Sequence, residues 1–439
     1  MSNKEEATAL LKEHNVQFIY LQFTDLLGTI KNVVIGKDRF QDAVETGIWF
    51  DGSSVEGFAR IAESDMHLRP DLSTFAVLPW SPPERKAARI LCDIYNANGK
   101  RLDADPRAIL QKVIRQAHAL GFTYQTAAEF EFHLFERSDL PELTPHDNKS
   151  YFDYTPHSRA SEICELTMKS LPAFGIEGET HHHEVGGGHH EIDIKYDQAM
   201  KSADNIVSVK TALKAYSSGG ELKVSWMPKP IHGVPGNGMH AHQSLWKDGT
   251  NLFYEPRNKY FLSRTAIFFL AGQLSHAKAL SALVSPSINS YKRLVPGYEA
   301  PVYICWGQQN RSALVRIPKI SNNKAKTATR LEYRAPDCTA NPYLAFAALL
   351  GAGLDGIKRK LTPPSPVEEN VYHYDDTALT KNHIDTLPHN LQEAIDELKK
   401  DKVILACLGK TAERYIEIKE EEVKEYSKQV TPWELTRYL

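Results

Sequence analysis

Residues 178–191 hold five histidines and three glutamates, with three consecutive glycines between them. Imidazole and carboxylate groups at that density suggest metal ligation. A second signal recurs along the chain. Alternate residues of a strand share a face. Read that way, residues 127–135 set Glu129, Glu131 and His133 against Phe130, Phe132 and Leu134. Residues 190–196 set Glu191, Asp193 and Lys195 against Ile192, Ile194 and Tyr196. Residues 238–245 set His240, His242 and Ser244 against Met239, Ala241 and Leu245. Residues 329–335 set Arg330, Glu332 and Arg334 against Leu331 and Tyr333.

Each strand therefore has one face fit for a core and one stocked with ionisable groups. Solvated strand faces are the plain alternative, but those are usually rich in Thr, Lys and Ser. A pair such as Glu129 and Glu131 repels itself unless a cation neutralises it. The polar faces are expected to line one shared cavity. Ligands that are mostly carboxylate oxygens suit Mg²⁺ or Mn²⁺ better than zinc. Arg330 and Arg334, with Arg293, Arg311 and Arg316 upstream, offer planar forks for carboxylate and phosphate. Divalent ions plus arginines are the equipment of phosphoryl transfer, which must neutralise the charge of the moving group. No Walker loop occurs, and the glycine-rich residues 233–238 are a weak phosphate signal equally readable as a turn. A serine hydrolase is disfavoured because no G-x-S-x-G is present. A glycosidase carboxylate pair would leave the arginines unexplained. A binding or structural protein would not need every polar face stocked.

These side chains must be positioned by a substantial fold. The chain has 439 residues, 42% of them hydrophobic and 24% charged, with a net charge of −3. That composition suits a globular protein and gives no reason to expect nucleic-acid or membrane binding. The apolar residues 265–274 and 343–354 are too short to span a bilayer. No basic stretch followed by an apolar one opens the chain, so no secretory signal is expected. Five scattered cysteines read as reduced thiols of a cytoplasmic protein. A helix is expected over 4–15, with strands over 18–23, 29–35 and 88–94. Asp105-Pro106 supplies a helix start ahead of the apolar run 109–120. We place a domain boundary at 102/103, giving domains 1–102 and 103–439. The rest mixes strands and helices and closes with charged helices over 391–401 and 410–426, an α+β pattern.

Nine segments carry a family resemblance. They are Phe50-Asp-Gly-Ser-Ser54, Glu63-Ser-Asp-Met66, Glu129-Phe-Glu131, His182-His-Glu184, Met239-His-Ala-His242, Ser290-Tyr-Lys-Arg-Leu-Val-Pro-Gly-Tyr-Glu-Ala-Pro301, Asn310-Arg-Ser312, Arg330-Leu-Glu-Tyr-Arg334 and Asn341-Pro-Tyr343. In order and spacing, over essentially the whole chain, they resemble type I glutamine synthetases. The resemblance implies a small β-grasp-like N-terminal domain and a large catalytic domain. In the latter, a curved antiparallel sheet is lined by metal ligands and flanked by helices. It also implies the reaction: ATP phosphorylates the γ-carboxylate of glutamate, and ammonia displaces phosphate to give glutamine.

Carried over by position, two or more Mg²⁺ or Mn²⁺ ions are implied. One would be held by Glu131, Glu184 and Glu191, the other by Glu129, His240 and Glu332. Glu179, His242, Ser244, Arg311, Arg316 and Arg330 match nucleotide-side positions. Arg293, Arg311 and Arg334 match groups that grip glutamate or the transferring phosphoryl group, with Gly236 and Asn237 in the substrate loop. Asp51, supplied by a neighbouring subunit, would bind ammonium and take its proton, near Ser54 and Tyr151. Glu299 would close the site against water. Arg60 matches a feedback arginine of the short, unadenylylated subtype. The segment Asn370-Val-Tyr-His-Tyr-Asp375 is a poor match to an adenylylation site. A dodecamer of two hexameric rings is implied, and residues 426–439, with Trp433 and Tyr438, could dock on a partner subunit or on their own chain. Of the histidines, only His240 is expected as a ligand; those of residues 178–191 are expected to orient the glutamates. One departure stands out: Pro235 and Asn237 replace the family's usual Asn and Ser beside the retained Gly236 and Gly238. It raises the alternative of a ligase joining glutamate to a larger amine. A catalytically inactive regulatory relative is the other alternative.

Overall fold

The computed structural model describes residues 3–55, 57–58, 65–138, 143–297 and 300–439. Six strands build the first sheet: β1 (Phe18–Thr24), β2 (Ile30–Gly36), β3 (Ile48–Asp51), β4 (Asp65–Pro70), β5 (Ala76–Val77) and β6 (Ala87–Asn96). Their order is β2-β1-β6-β4-β3, with β5 on β6. β1 and β6 run parallel, and the other pairs are antiparallel. Alternation explains the packing. Ile19, Leu21 and Phe23 of β1 and Ala88, Ile90 and Ile94 of β6 point into a core with Phe40 and Phe58.

Eleven strands build the second sheet: β7 (Thr123–Glu136), β8 (Gly178–His183), β9 (His189–Ile194), β10 (Asp197–Gln198), β11 (Leu222–Ser225), β12 (Met239–Lys247), β13 (Thr250–Asn251), β14 (Tyr303–Gly307), β15 (Ala313–Arg316), β16 (Leu331–Tyr333) and β17 (Asp385–Thr386). The main path is β17-β14-β15-β16-β12-β7-β9-β8. The expected antiparallel sheet is in fact mixed, because β14 and β15 pair in parallel. The apolar faces of β7, β9 and β12, with Phe130, Ile192 and Met239, share one core with the helices Pro106–Ala119, Ala199–Ser218, Arg264–Ser275 and Pro342–Arg359. That leaves the opposite faces of the same strands to carry chemistry. The strand expected over 329–335 shortens to β16. Thr329 donates its N–H to the Ala325 carbonyl of the preceding helical turn, and Pro336 has no N–H to give. No single helix among the described residues is long and apolar enough to cross a membrane.

The helix Pro106–Ala119 begins as expected, with the Asp105 carboxylate accepting from Arg107 N at 3.0 Å. Arg107 then ties the two sheets' surroundings together. Its guanidinium lies 2.5 Å from Asp93, 2.9 Å from Asp71 and 3.0 Å from Asp204. Removing one partner of a buried ion network strands the other charges in low dielectric. Arg107→Ala is therefore expected to cost about 3–5 kcal/mol. A melting temperature within a degree of the parent's would contradict this.

Candidate metal centre and nucleotide pocket

Strand pairing brings the ionisable faces together. β7 and β12 place Glu129 directly opposite His240, and β12 and β16 place His242 opposite Glu332. His240 Nδ1 lies 2.9 Å from Glu129 Oε2 and 3.5 Å from Glu332 Oε1. His242 Nε2 lies 2.7 Å from Glu129 Oε1. Glu129, His240 and Glu332 each offer a ligand atom within 4.8 Å of the others. Glu332 is fully buried. Its Oε1 faces Arg334 Nε at 3.2 Å, while its Oε2 makes no hydrogen bond although Arg316 Nε is only 2.8 Å away.

A second cluster forms on the other side of β7. β9 sets Glu191 opposite Glu131 on β7 and opposite His182 on β8. Here the structure departs from the expected grouping of Glu131 with Glu184 and Glu191. His182, Glu184 and Glu191 gather within 4.8 Å, with His182 Nε2 3.3 Å from Glu191 Oε1. Glu131 instead accepts from Gly238 N at 2.8 Å and faces His189 Nε2 at 3.1 Å. It stays close to both clusters, 4.0 Å from His240 Nε2. His189 matches the expected orienting role, whereas His182 stands among the candidate ligands. Applying the two-residue period to β8 as well as β9 would have found His182.

The electrostatics favour bound cations. Burial, together with Glu131, Asp193, Glu129 and Glu184, pushes the Glu191 carboxyl up to about 11. Burial also works to raise Glu129, but His242 and His240 outweigh it and hold that carboxyl well below its ordinary range. Carboxylates that repel one another this strongly, a buried glutamate oxygen without a hydrogen bond, and an oxygen-rich donor set fit divalent hard ions. Binding a cation must displace the Glu191 proton, so affinity for Mg²⁺ should rise with pH through the neutral range. Calorimetry at pH 7–8 in buffers of different ionisation enthalpy is expected to show about one proton released per chain. Release of none would contradict this.

Glycine shapes the floor between the clusters. A Cβ on Gly238 would fall 2.6 Å from an Arg293 Nη atom and 3.1 Å from both Glu131 Oε1 and His240 Nε2. Arg293 is buried and donates to the carbonyls of Ala335 at 2.9 Å and Arg334 at 3.2 Å. Pro235, Gly236, Arg293 and Arg334 line one small cavity with Glu131, Glu184 and His240. Asn237, in the expected substrate loop, has a fully buried side chain. It bonds His133 Nδ1 at 2.7 Å and Met227 O at 2.6 Å, so it holds the loop rather than facing the cavity. Phe130, bulky between the two glutamates, is buried on the core face as expected.

A cavity of about 420 Å³ lies on the far side of Glu129. Glu179, Asp193, His242, Ser244 and Arg330 line it, with Trp246 and Tyr196. Glu179 sits where β8 slips register against β9, an irregularity of the kind that re-aims a side chain. Arg330 Nε lies 3.0 Å from His242 Nδ1 and is thereby aimed at the same wall. Arg316 stands beside Glu332 rather than on this cavity, and the exposed Arg311 gives its carbonyl to Arg334. Asp193, which accepts from Thr180, joins the wall without having been singled out as a ligand. Tyr151 packs its ring edge-on to His182 at 5.7 Å. Asp51 and Ser54 stand apart from this sheet, exposed, at the end of β3 and just after it. Glu299 and Arg60 lie outside the described residues.

Family sequence patterns match both parts of the chain. "Glutamine synthetase, beta-Grasp domain" covers residues 15–97, and "Glutamine synthetase, catalytic domain" covers residues 103–438. The chain belongs to the glutamine synthetase family. It is 48% identical to the glutamine synthetase of Thermotoga maritima over 99% of both chains. It is 44% identical to that of Methanocaldococcus jannaschii, over 100% of this chain and 98% of the relative. Among solved structures, a Plasmodium falciparum glutamine synthetase superposes with a TM-score of 0.91 at 27% identity, covering 100% of this chain and 99% of that one. A GmaS/ADP complex superposes with a TM-score of 0.89 at 31% identity over 98% of each chain. The glutamine synthetase pattern thus spans both sheets, and the clustered glutamates and histidines lie within its catalytic part.

Proposed function

We propose that this protein joins ammonia to the γ-carboxylate of L-glutamate with ATP, through γ-glutamyl phosphate, giving L-glutamine, ADP and phosphate. The supporting observation is the convergence of Glu129, His240 and Glu332, with Glu191 and Glu184 beside them, on one face of a glutamine-synthetase-family sheet. A γ-carboxylate is a poor electrophile until phosphorylation supplies a leaving group. Glu129, His240 and Glu332 would hold one divalent ion; Glu184 and Glu191, with Glu131 and His182 in reach, would hold another. Mg²⁺ or Mn²⁺ bound there supplies neutralisation of charge on the moving phosphoryl group. Glu179, His242, Ser244 and Arg330 would take the nucleotide in the 420 Å³ cavity. Arg293 and Arg334, and the backbone at Gly236, would take glutamate. Arg311 and Arg316 would meet the phosphates.

Ammonium must lose a proton before it attacks. Asp51 is the proposed acceptor, contributed by domain 1–102 of a neighbouring copy. Hydrogen bonds from Ser53 hold its carboxyl below the ordinary value, so it is an anion at neutral pH and attracts the cation. Ser54 flanks Asp51 in that segment, and Tyr151 would border the same ammonium site from the metal side. Asp51 lies on the other sheet from the clusters, and Trp433 (66% exposed) and Tyr438 (75% exposed) leave the C-terminal helix unpacked on its own chain. Both features support assembly, for which we propose a dodecamer of two hexameric rings. Glu299 would close over the acyl phosphate, and Arg60 would mediate inhibition by glutamine without adenylylation. The five free cysteines suit the cytoplasm.

With glutamate, ATP and Mg²⁺ present, ADP release should depend on ammonium. Equal or faster release with methylamine or a polyamine would replace this reading by a larger-amine ligase. No release with any amine would mark an inactive relative.

A further inference from the structure

The histidine run divides between two faces of the sheet. Glu191 and His182 face the candidate metal centre; the neighbouring residues of the same strands, His190 and His183, face the other way. They are cross-strand partners, and His190 stands opposite Phe132 of the core face. The segment following β7 brings His146 and Asp147 to meet them, pinned where His146 N donates to Leu134 O at 3.1 Å and Gly188 N donates to Asp147 Oδ1 at 2.8 Å.

Four ligand-type groups share one centre there. His146 Nε2 lies 2.8 Å from His190 Nε2 and 3.5 Å from Asp147 Oδ2. His183 Nε2 lies 3.1 Å from Asp147 Oδ1. One atom from each lies within 4.8 Å of the others. His183 Nδ1 is 2.7 Å from the Glu184 carbonyl, which only accepts, so Nδ1 carries a proton. Nε2 is thus the nitrogen turned towards the Asp147 carboxylate, where a metal ion would take the place of the shared proton. An imidazole that donates one N–H to a backbone carbonyl and presents its other nitrogen inwards is the usual arrangement of a metal-ligating histidine.

We propose that His146, Asp147, His183 and His190 form a structural Zn²⁺ site, separate from the oxygen-rich catalytic centre on the opposite face of β8 and β9. Three imidazole nitrogens and one carboxylate complete a tetrahedral shell with no open position, which is the character of structural zinc. A cavity of about 850 Å³, lined by Asp147, His183 and His190, gives the ion a way in. Bound zinc would lock the segment leading to Tyr151 onto β8, which leads into Glu184, and β9, which carries Glu191.

The test uses full-length protein stripped with EDTA, given saturating Mg²⁺ to fill the oxygen-rich sites, then titrated with Co²⁺. One equivalent per chain should develop the intense visible absorption of tetrahedral Co²⁺, and one equivalent of Zn²⁺ should abolish it. His146→Gln and His190→Gln should each lose the absorption and weaken Zn²⁺ binding by about 100-fold or more, while Glu129→Gln should retain it. Absence of tetrahedral absorption in the parent overturns the proposal. So does absorption that survives in both histidine variants, or that vanishes in Glu129→Gln. Should the histidine variants not fold, the parent alone decides: Zn²⁺ added over saturating Mg²⁺ must raise its melting temperature, and an unchanged one overturns the site.

Discussion

Glu129→Gln is expected to lower kcat/KM by about 10²–10³-fold, the scale on which a single electrostatic group acts in a transition state. The substitution is nearly isosteric, so packing is preserved. What it removes is the charge that meets His240 at 2.9 Å and His242 at 2.7 Å. Both oxygens of this carboxylate are engaged, and it stands between the metal cluster and the nucleotide cavity. At about 1.4 kcal/mol per factor of ten, the loss amounts to roughly 3–4 kcal/mol of transition-state stabilisation. Because the group belongs to the ion site, the apparent Mg²⁺ requirement should rise in the same variant. Steady-state kinetics at several Mg²⁺ concentrations measure both effects. An activity within a few-fold of the parent's would remove Glu129 from the machinery.

Gly238→Ala should lower kcat/KM by about 100-fold, because displacement of catalytic groups by about an ångström costs that much. The added methyl has nowhere to go. Arg293, its nearest neighbour, is fixed by the carbonyls of Ala335 and Arg334. Glu131 and His240, the next nearest, belong to the candidate metal centre. Relief must therefore move a ligand or the arginine that borders the same cavity. Gly36→Ala is the control, since a Cβ there meets nothing within 4 Å. Equal activities of the two variants, with both folded by circular dichroism, would show that the floor of the site tolerates displacement.

Much of this site was legible because a strand's two-residue period sorts polar from apolar side chains without knowledge of the fold. The period puts Glu129, His240 and Glu332 on polar faces, and they meet. The Asp105-Pro106 helix start was legible for a similarly local reason. Alternation alone does not say which strands are neighbours, and register is set by long-range pairing. That is why His182 enters the second cluster while Glu131 turns to His189 and Gly238. Nor does alternation show that β14 and β15 pair in parallel. The Asn237 side chain shows a further limit of local pattern. Three partners bury it, and its inward turn depends on His133 from a distant strand, which the loop's own sequence does not show. The histidine run, read as one feature, is divided by the strand period into two groups serving opposite faces.

In the proposed reaction, ammonia nitrogen becomes the amide of glutamine in step with ATP cleavage. Incubating the protein with glutamate, ATP, Mg²⁺ and ¹⁵N-ammonium, and following product by NMR, tests it directly. One ¹⁵N-labelled glutamine side-chain amide is expected for each ADP formed. ADP accumulating without ¹⁵N entering an amide would contradict it.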